Sequence, residues 1–243
     1  MAVELNVSNF KNLIKRGTVN YAIDNAKLIF TPAKAACAMR GTDLISSVTI
    51  DNDVLTGLKR DDEIEFCFVN PLNNVLPYLE ILRGDMVTAS IKDSCIELAE
   101  DPHKVKLTLF HPNVVTPFDT SKRPQIDFFV SFVINEQFIN FLDKTKRVCA
   151  SVGRIYLGVK NGYLYARAGG AANELTSEIS LNLVKSGFKD VELNFNFKSF
   201  ICLMHLVTDG YQISVSHDDD SGLGLLKLEK PDASEFFYIM SRL

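Results

Sequence analysis

The sequence predicts an α+β protein of two topologically similar domains, each with two helices packed on antiparallel sheets. Three observations predict it. The stretch "IEFCFVNP", with Ile64, Phe66 and Phe68 alternating, is echoed by "NFNFKSF" and its preceding Leu193, so that Leu193, Phe195 and Phe197 stand at a constant offset of 129 residues. The first helical stripe of each half matches as well, Phe10, Leu13 and Ile14 against Phe138, Phe141 and Leu142 at an offset of 128. Between the halves lies "HPNVVTPFDTSKRPQ", whose three prolines in fifteen residues mark a crossing segment. The boundaries read as 1–111, a connecting linker 112–126, and 127–243.

The first half opens with the strand "VELNV" and the helix "SNFKNLIKR", whose apolar i, i+3, i+4 stripe faces a core. A strand-rich stretch runs to Ile50, followed by the Phe-x-Phe strand and a helix "PLNNVLPYLEILR". Asn70 and Pro71 read as its N-cap and first turn, and Pro77 within it should kink it. Gly17 and Gly84 follow basic last turns and read as helix stops. The strands "MVTASIK", "SCIELAE" and "KVKLTLF" complete the half.

From Phe128 the order repeats: "FFVSFVI", then a helix "NEQFINFLDKTKR" capped by Asn135, then "IYLGVK" and "YLYARA" around an Asn161-Gly162 hairpin turn. "LTSEISLNLV", the second Phe-x-Phe strand, the helix "KSFICLMHLV" and the strands "YQISVSH", "LGLLKLE" and "FFYIMSR" close the chain.

Composition excludes several classes. With 47% hydrophobic residues the chain has ample core, and its longest apolar runs are far shorter than the roughly 20 residues of a membrane helix. "MAVELNVSNFKNL" lacks a secretory signal's apolar block, so a soluble, cytoplasmic protein is expected, in host cytoplasm if viral. Five cysteines, never closer than 28 residues, suggest neither a zinc site nor a disulfide framework, and read as free thiols in a reducing compartment.

The chain carries net charge −4, yet the four predicted helices (8–16, 71–83, 136–147 and 198–207) together carry +5, leaving −9 elsewhere. An acidic chain has put its base on its helices. Lys11 and Lys15 lie one turn apart, and Asn140, Lys144 and Arg147 line up away from Phe138 and Leu142. Such stripes suit phosphate contact, in which Lys and Arg displace counterions without reading a base. A solvated charged face is the alternative for any one amphipathic helix.

Catalytic signals are scarce. "HDDDSG", His217 to Gly222, offers an imidazole and three carboxylates, but consecutive residues at a strand end point to alternating sides. An acidic hairpin tip is expected there, and no metal, cofactor or catalytic residue is assigned. A nucleic-acid enzyme whose carboxylates gather from distant parts of the chain stays open at this level.

Two repeated domains, a proline-bearing linker and basic helices in an acidic chain resemble DNA polymerase sliding clamps of the trimeric kind, similar to proliferating cell nuclear antigen and more so to T-even phage clamps. "KLIFTPAKAACAMRGTDLIS", "NFNFKSFICLMHLVTDGYQISV" and "FFYIMSR" carry the resemblance. It implies a clamp-fold, ring-forming homotrimer that encircles duplex DNA without sequence specificity and tethers DNA polymerase and other replication proteins, with an ATP-dependent clamp loader as a further partner. It implies DNA-facing residues Lys11, Lys15, Arg16, Arg83, Lys144, Lys146, Arg147, Lys198 and His205. It also implies a partner-peptide pocket of Pro32, Val114, Val115, Phe118, Tyr238 and Met240. Subunits would join through Val105, Leu107 and Leu109 of one chain and Thr176, Glu178 and Ser180 of the next. A monomeric or dimeric clamp-like processivity factor that does not encircle DNA is the alternative.

Overall fold

The computed structural model describes residues 2–115, 117–122, 126–128, 130–149, 153–160, 163–170, 173–179, 183–186, 191–207, 210–218, 222–232 and 234–241; within these, 2, 122, 146–149, 159–160, 163–164, 168–170, 173–179 and 183–186 are described by their backbone. The chain divides into two units, 1–122 and 123–243.

Unit 1 contains β1 (Ala2–Asn6), α1 (Val7–Gly17), β2 (Asn25–Phe30), β3 (Lys34–Arg40), β4 (Leu44–Asp51), β5 (Leu55–Thr56), β6 (Ile64–Val69), α2 (Pro71–Asn74), α3 (Leu76–Leu79), β7 (Met86–Lys92), β8 (Cys95–Glu100) and β9 (His103–Thr108). Its strands bond in two runs, β5-β1-β7-β8-β9 and β4-β3-β2-β6, with the described neighbour pairs antiparallel. Burial alternates cleanly along β2 and β3, one face inward and one outward. The inward face meets α1. There Phe10, wholly buried, has the rings of Phe30, Phe66 and Phe68 at 6.4, 6.4 and 6.1 Å, the last two edge-on.

Unit 2 repeats this plan. It contains β10 (Val130–Val133), α4 (Glu136–Cys149), β11 (Arg154–Lys160), β12 (Tyr163–Gly170), β13 (Asn173–Ile179), β14 (Leu183–Ser186), β15 (Val191–Asn196), α5 (Phe197–Met204), β16 (Gln212–His217), β17 (Gly224–Glu229) and β18 (Glu235–Met240). Its strands run β14-β10-β16-β17-β18 and β13-β12-β11-β15, the same order, strand for strand, as in unit 1. Phe138 takes the place of Phe10, against Phe132 at 5.7 Å, and α5 buries Phe200 against Phe195 at 6.2 Å. Lys160 pairs with Tyr163, the register a two-residue hairpin requires, although residues 161–162 themselves lie outside the described residues.

The duplication is real, but its register differs from the sequence reading. Leu28 and Leu157, 129 apart, face Phe66 and Leu193 respectively, so β6 and β15 correspond at an offset of 127. Phe68 is therefore the counterpart of Phe195. Phe197, expected at a strand end, instead begins α5 and is half-buried. A two-residue slip keeps every side chain on its face, so an alternating Phe-x-Phe pattern fits both registers.

The predicted helix 71–83 is also corrected. It is two four-residue turns, Pro71–Asn74 and Leu76–Leu79, interrupted at Val75 (φ −125°, ψ −56°). The ring of Pro77 and its missing N–H forbid a continuous helix, and proline is accommodated at the start of the second turn. Asn70 does precede the first turn, but through its backbone: φ is +48°, a left-handed conformation that Asn tolerates, and its side chain makes no capping bond. Nor do the two glycines act as left-handed stops. Gly17 is the last residue of α1, and a Cβ there would lie 2.2 Å from the Cys37 sulfur. Gly84 donates its N–H to Glu100 Oε1 at 2.6 Å. Close approach, not a positive φ, selects both.

Candidate nucleic-acid interface and partner surfaces

Helix α1 is capped by Asn6, whose side-chain oxygen accepts the N–H of Asn9 at 2.9 Å. This cap and the inward Val7, Phe10, Leu13 and Ile14 fix which residues point out. Lys15 is exposed, and Lys11 and Arg16 are half-buried. Lys11 lines a crevice with Tyr21, Pro71, Val75 and Leu79, so α1 and the two short turns share one face of unit 1. Just past α1 the chain makes a left-handed turn at Val19, Asn20 and Tyr21 (φ 52°, 53° and 63°), which brings the Tyr21 ring beside Lys11. Burial pushes the Tyr21 hydroxyl up, with the Glu80 carboxylate adding to the effect, so it remains a hydrogen-bond donor. Nothing in the local sequence signals this residue, because no glycine announces the turn.

Helix α4 is capped by Asn135, which accepts the Phe138 N–H at 3.0 Å. Phe138, Phe141, Leu142 and Thr145 are buried, while Gln137, Asn140, Asp143 and Lys144 are exposed. Lys146 and Arg147 lie on the same helix, but their side chains are outside the described residues. Helix α5 is capped by Asn196 through the Ser199 N–H at 3.1 Å, leaving Lys198 and, just past the helix, His205 exposed. Burial pushes the Cys202 thiol up, against the pull of the Lys198 ammonium one turn before it.

Arg83 lies outside any helix. Its exposed segment is held by Glu100, whose carboxylate accepts the N–H of Arg83 at 2.7 Å and of Gly84 at 2.6 Å. The counterpart of Lys198 in unit 1 is Leu72, because Asn70 is one residue more than unit 2 has before its helix.

Of the predicted pocket residues, Pro32 and Val114 are exposed and Phe118 and Met240 half-buried, while Val115 and Tyr238 are buried. The linker is tied to unit 1 by the Phe118 N–H, which donates to Ala38 O at 3.0 Å. Tyr238 packs edge-on to Phe236 at 5.6 Å within unit 2.

Among the described residues β9 and β13 are edge strands, the first bonded to β8 and the second to β12. Val105 and Leu107 point inward and are buried; Leu109, beyond the strand, is half-buried and donates its N–H to Ser94 O at 2.9 Å. Thr176 and Glu178 stand opposite Arg167 and Tyr165. Ser180 is outside the described residues. Beside β9 a groove of about 240 Å³ is lined by Phe68, Tyr78, Lys106, Thr108 and Phe110, with Tyr78 47% and Phe110 37% exposed. The sequence reading missed Tyr78 and Phe110, since an aromatic in an apolar run reads as core.

On the outer face of β11, β12 and β15, Arg167 lies over Tyr156 at 4.1 Å and bonds Glu192 at 2.6 Å, and the Tyr165 hydroxyl donates to the same carboxylate at 2.9 Å. Tyr165 lies across Gly158, where a Cβ would stand 2.3 Å from the ring. Burial raises the Glu192 carboxyl, but the bonds from Arg167 and Tyr165 outweigh it and hold the group below its ordinary value.

His217 ends β16 and Asp218 donates its N–H to Leu223 O at 2.9 Å across the β16–β17 hairpin; Asp219 and Asp220 lie outside the described residues. Among the described residues no group of three His, Cys, Asp or Glu side chains could hold a metal. No helix among them is long and apolar enough to cross a membrane.

No protein-family model matches the sequence, and no curated protein matches it in sequence. Solved structures do match. The β chain of DNA polymerase III from Streptococcus pneumoniae superposes with a TM-score of 0.76 at 11% identity, covering 100% of this chain and 65% of that one. A DNA polymerase sliding clamp from Bacillus subtilis gives 0.75 at 15%, covering 100% and 64%. The PCNA of A. fulgidus, solved with the C-terminal region of FEN-1 bound, gives 0.68 at 11%, covering 100% and 98%. This chain thus spans just under two thirds of the bacterial chains and nearly all of the archaeal one. Its fold is that of the sliding clamps.

Proposed function

We propose that this chain is a subunit of a DNA polymerase processivity factor, a sliding clamp that closes as a homotrimeric ring around duplex DNA. The observation that carries the reading is the strand-for-strand duplication of a nine-stranded, helix-faced unit, matched over the whole chain to clamps and to 98% of an archaeal chain. Two such units per subunit make six in a trimer.

The chemistry asked of the ring is weak and unspecific. Lys11, Lys15, Arg16, Arg83, Lys144, Lys146, Arg147, Lys198 and His205 meet phosphates, whose contacts position a duplex without reading it. The helices still sum to +5 with their observed boundaries, in a chain of net −4. Subunits join through the edges of β9 and β13, and the exposed Tyr78 and Phe110 beside β9 give the joint an apolar centre. Polymerase and an ATP-dependent loader dock through short segments at the accessible Pro32, Val114, Phe118 and Met240, with Val115 and Tyr238 buried within their own units, as the FEN-1 segment on the A. fulgidus neighbour suggests. The protein performs no reaction itself.

Loading onto nicked circular DNA tests this. Complexes should survive gel filtration on the closed circle and be lost after a restriction cut. Equal retention on circle and linear DNA would sink the ring and leave a non-encircling factor.

A further inference from the structure

Along β9 the residues alternate sharply. Val105 and Leu107 are buried, while Lys104, Lys106 and Thr108 are exposed on the outer face. Among the described residues neither lysine forms an ion pair. Glu97, directly opposite Lys106 on β8, is already bonded to Lys92 at 2.6 Å. That bond holds its carboxyl below the usual range, and Lys106 and Lys104 add to the effect. The strand itself contains no acid, so the edge is positive.

The edge of β13 has the opposite sign. β13 contains Glu174 and Glu178 and no base. These two positions stand opposite Gly169 and Tyr165, and directly opposed residues share a face of a sheet. They therefore lie on the side of Tyr165 and Arg167, away from the buried Ala166. Each unit presents its charged positions on its outer face.

We propose that, in the ring described above and resting on that reading, Lys104 and Lys106 of one subunit pair with Glu174 and Glu178 of the next, and that these pairs set which faces align at the joint and narrow its register to two. If the strands run antiparallel, setting Lys106 opposite Thr176 puts Lys104 opposite Glu178 and leaves Lys106 diagonal to both glutamates, within reach of a long side chain. A slip of one residue turns the lysines to the other face. A slip of two one way leaves Glu178 as the sole acidic neighbour, whereas a slip of two the other way sets Lys106 opposite Glu174 and leaves Lys104 diagonal to both glutamates. Two registers, two residues apart, satisfy both lysines. Exposed pairs add little to affinity, so their effect lies in alignment and in salt dependence.

A charge exchange tests it. Sedimentation equilibrium is run on the wild-type chain, on K104E/K106E, on E174K/E178K, and on the fourfold exchange, with circular dichroism confirming that each is folded. Both double variants place like charges together and should raise the concentration at which the assembly dissociates by roughly tenfold or more at physiological salt. The fourfold exchange should restore it, and roughly 1 M salt should erase the differences. If the wild type assembles and the double variants assemble equally well, or the fourfold exchange fails to restore assembly, the pairing is overturned while the ring stands. A wild type that stays at its 27.2 kDa chain mass overturns both.

Discussion

Cys37 shows what a single buried group contributes. It is 1% exposed on β3, pressed against Gly17 at the end of α1, and burial pushes its thiol up to about 12. The folded value lies above that of the unfolded chain, about 8.5. Its contribution to stability is therefore complete below that value and is lost as pH climbs towards about 12. Replacing Cys37 by Ala should flatten the fall in urea midpoint between roughly pH 8 and pH 10. An unchanged slope would mean that other groups govern alkaline unfolding. The same packing explains Gly17, which looked like a helix stop in the sequence. A glycine after Lys-Arg has the pattern of a stop, and only the sheet behind it reveals the real constraint.

Elements were legible where one rule acted alone. The cap at Asn135 follows from a hydrogen bond three residues long, and the alternating strands from their own period, whereas the caps at Asn6 and Asn196, read as strand residues, emerged only from the fold. The second helix of unit 1 was misread because its apolar spacing and Pro77 conflict, and covalent geometry wins. The offset of the Phe-x-Phe strands was misread because an alternating pattern cannot distinguish registers two apart. These differences predict distinct mutational behaviour for four asparagines that look alike. Asn6→Ala, Asn135→Ala and Asn196→Ala should each cost about 1 kcal/mol in chemical denaturation, relieved little by nearby changes. Asn70→Gly should cost nothing or slightly stabilise, since its φ of +48° is what matters there. If Asn70→Gly costs as much as the other three, the left-handed account of that position fails.

For the whole molecule, net charge is a poor guide and its distribution a good one. An overall −4 argues against binding an acidic polymer, whereas the placement of Lys11, Lys15 and Lys198 on capped helices argues for it. The candidate face was legible because helix periodicity fixes which residues point outward. The edges of β9 and β13 were legible as strands, but Tyr78 and Phe110 emerged only from the fold, because exposure depends on neighbours distant in sequence. Replacing Lys11 and Lys15 together by Ala should weaken binding to all duplex sequences alike. It should also reduce the salt slope by about one for each phosphate that is no longer neutralised. A change confined to particular sequences would mean that these lysines read bases.

Asn70 adds one residue to a plan that is otherwise written twice, and its left-handed turn confines that residue to a single bend. Beyond it the two copies differ: Leu72, 44% exposed, occupies the place of Lys198, and the stretch 71–79 carries no charge. Duplication allows this divergence. When an assembly is built from paired copies, one copy can give up a binding position while the other keeps it, because selection acts on the summed grip around the assembly. In the ring proposed above, the place that unit 2 fills with the cation of Lys198 is filled in unit 1 by an exposed leucine beside two short turns, so the two units would grip a duplex unequally there.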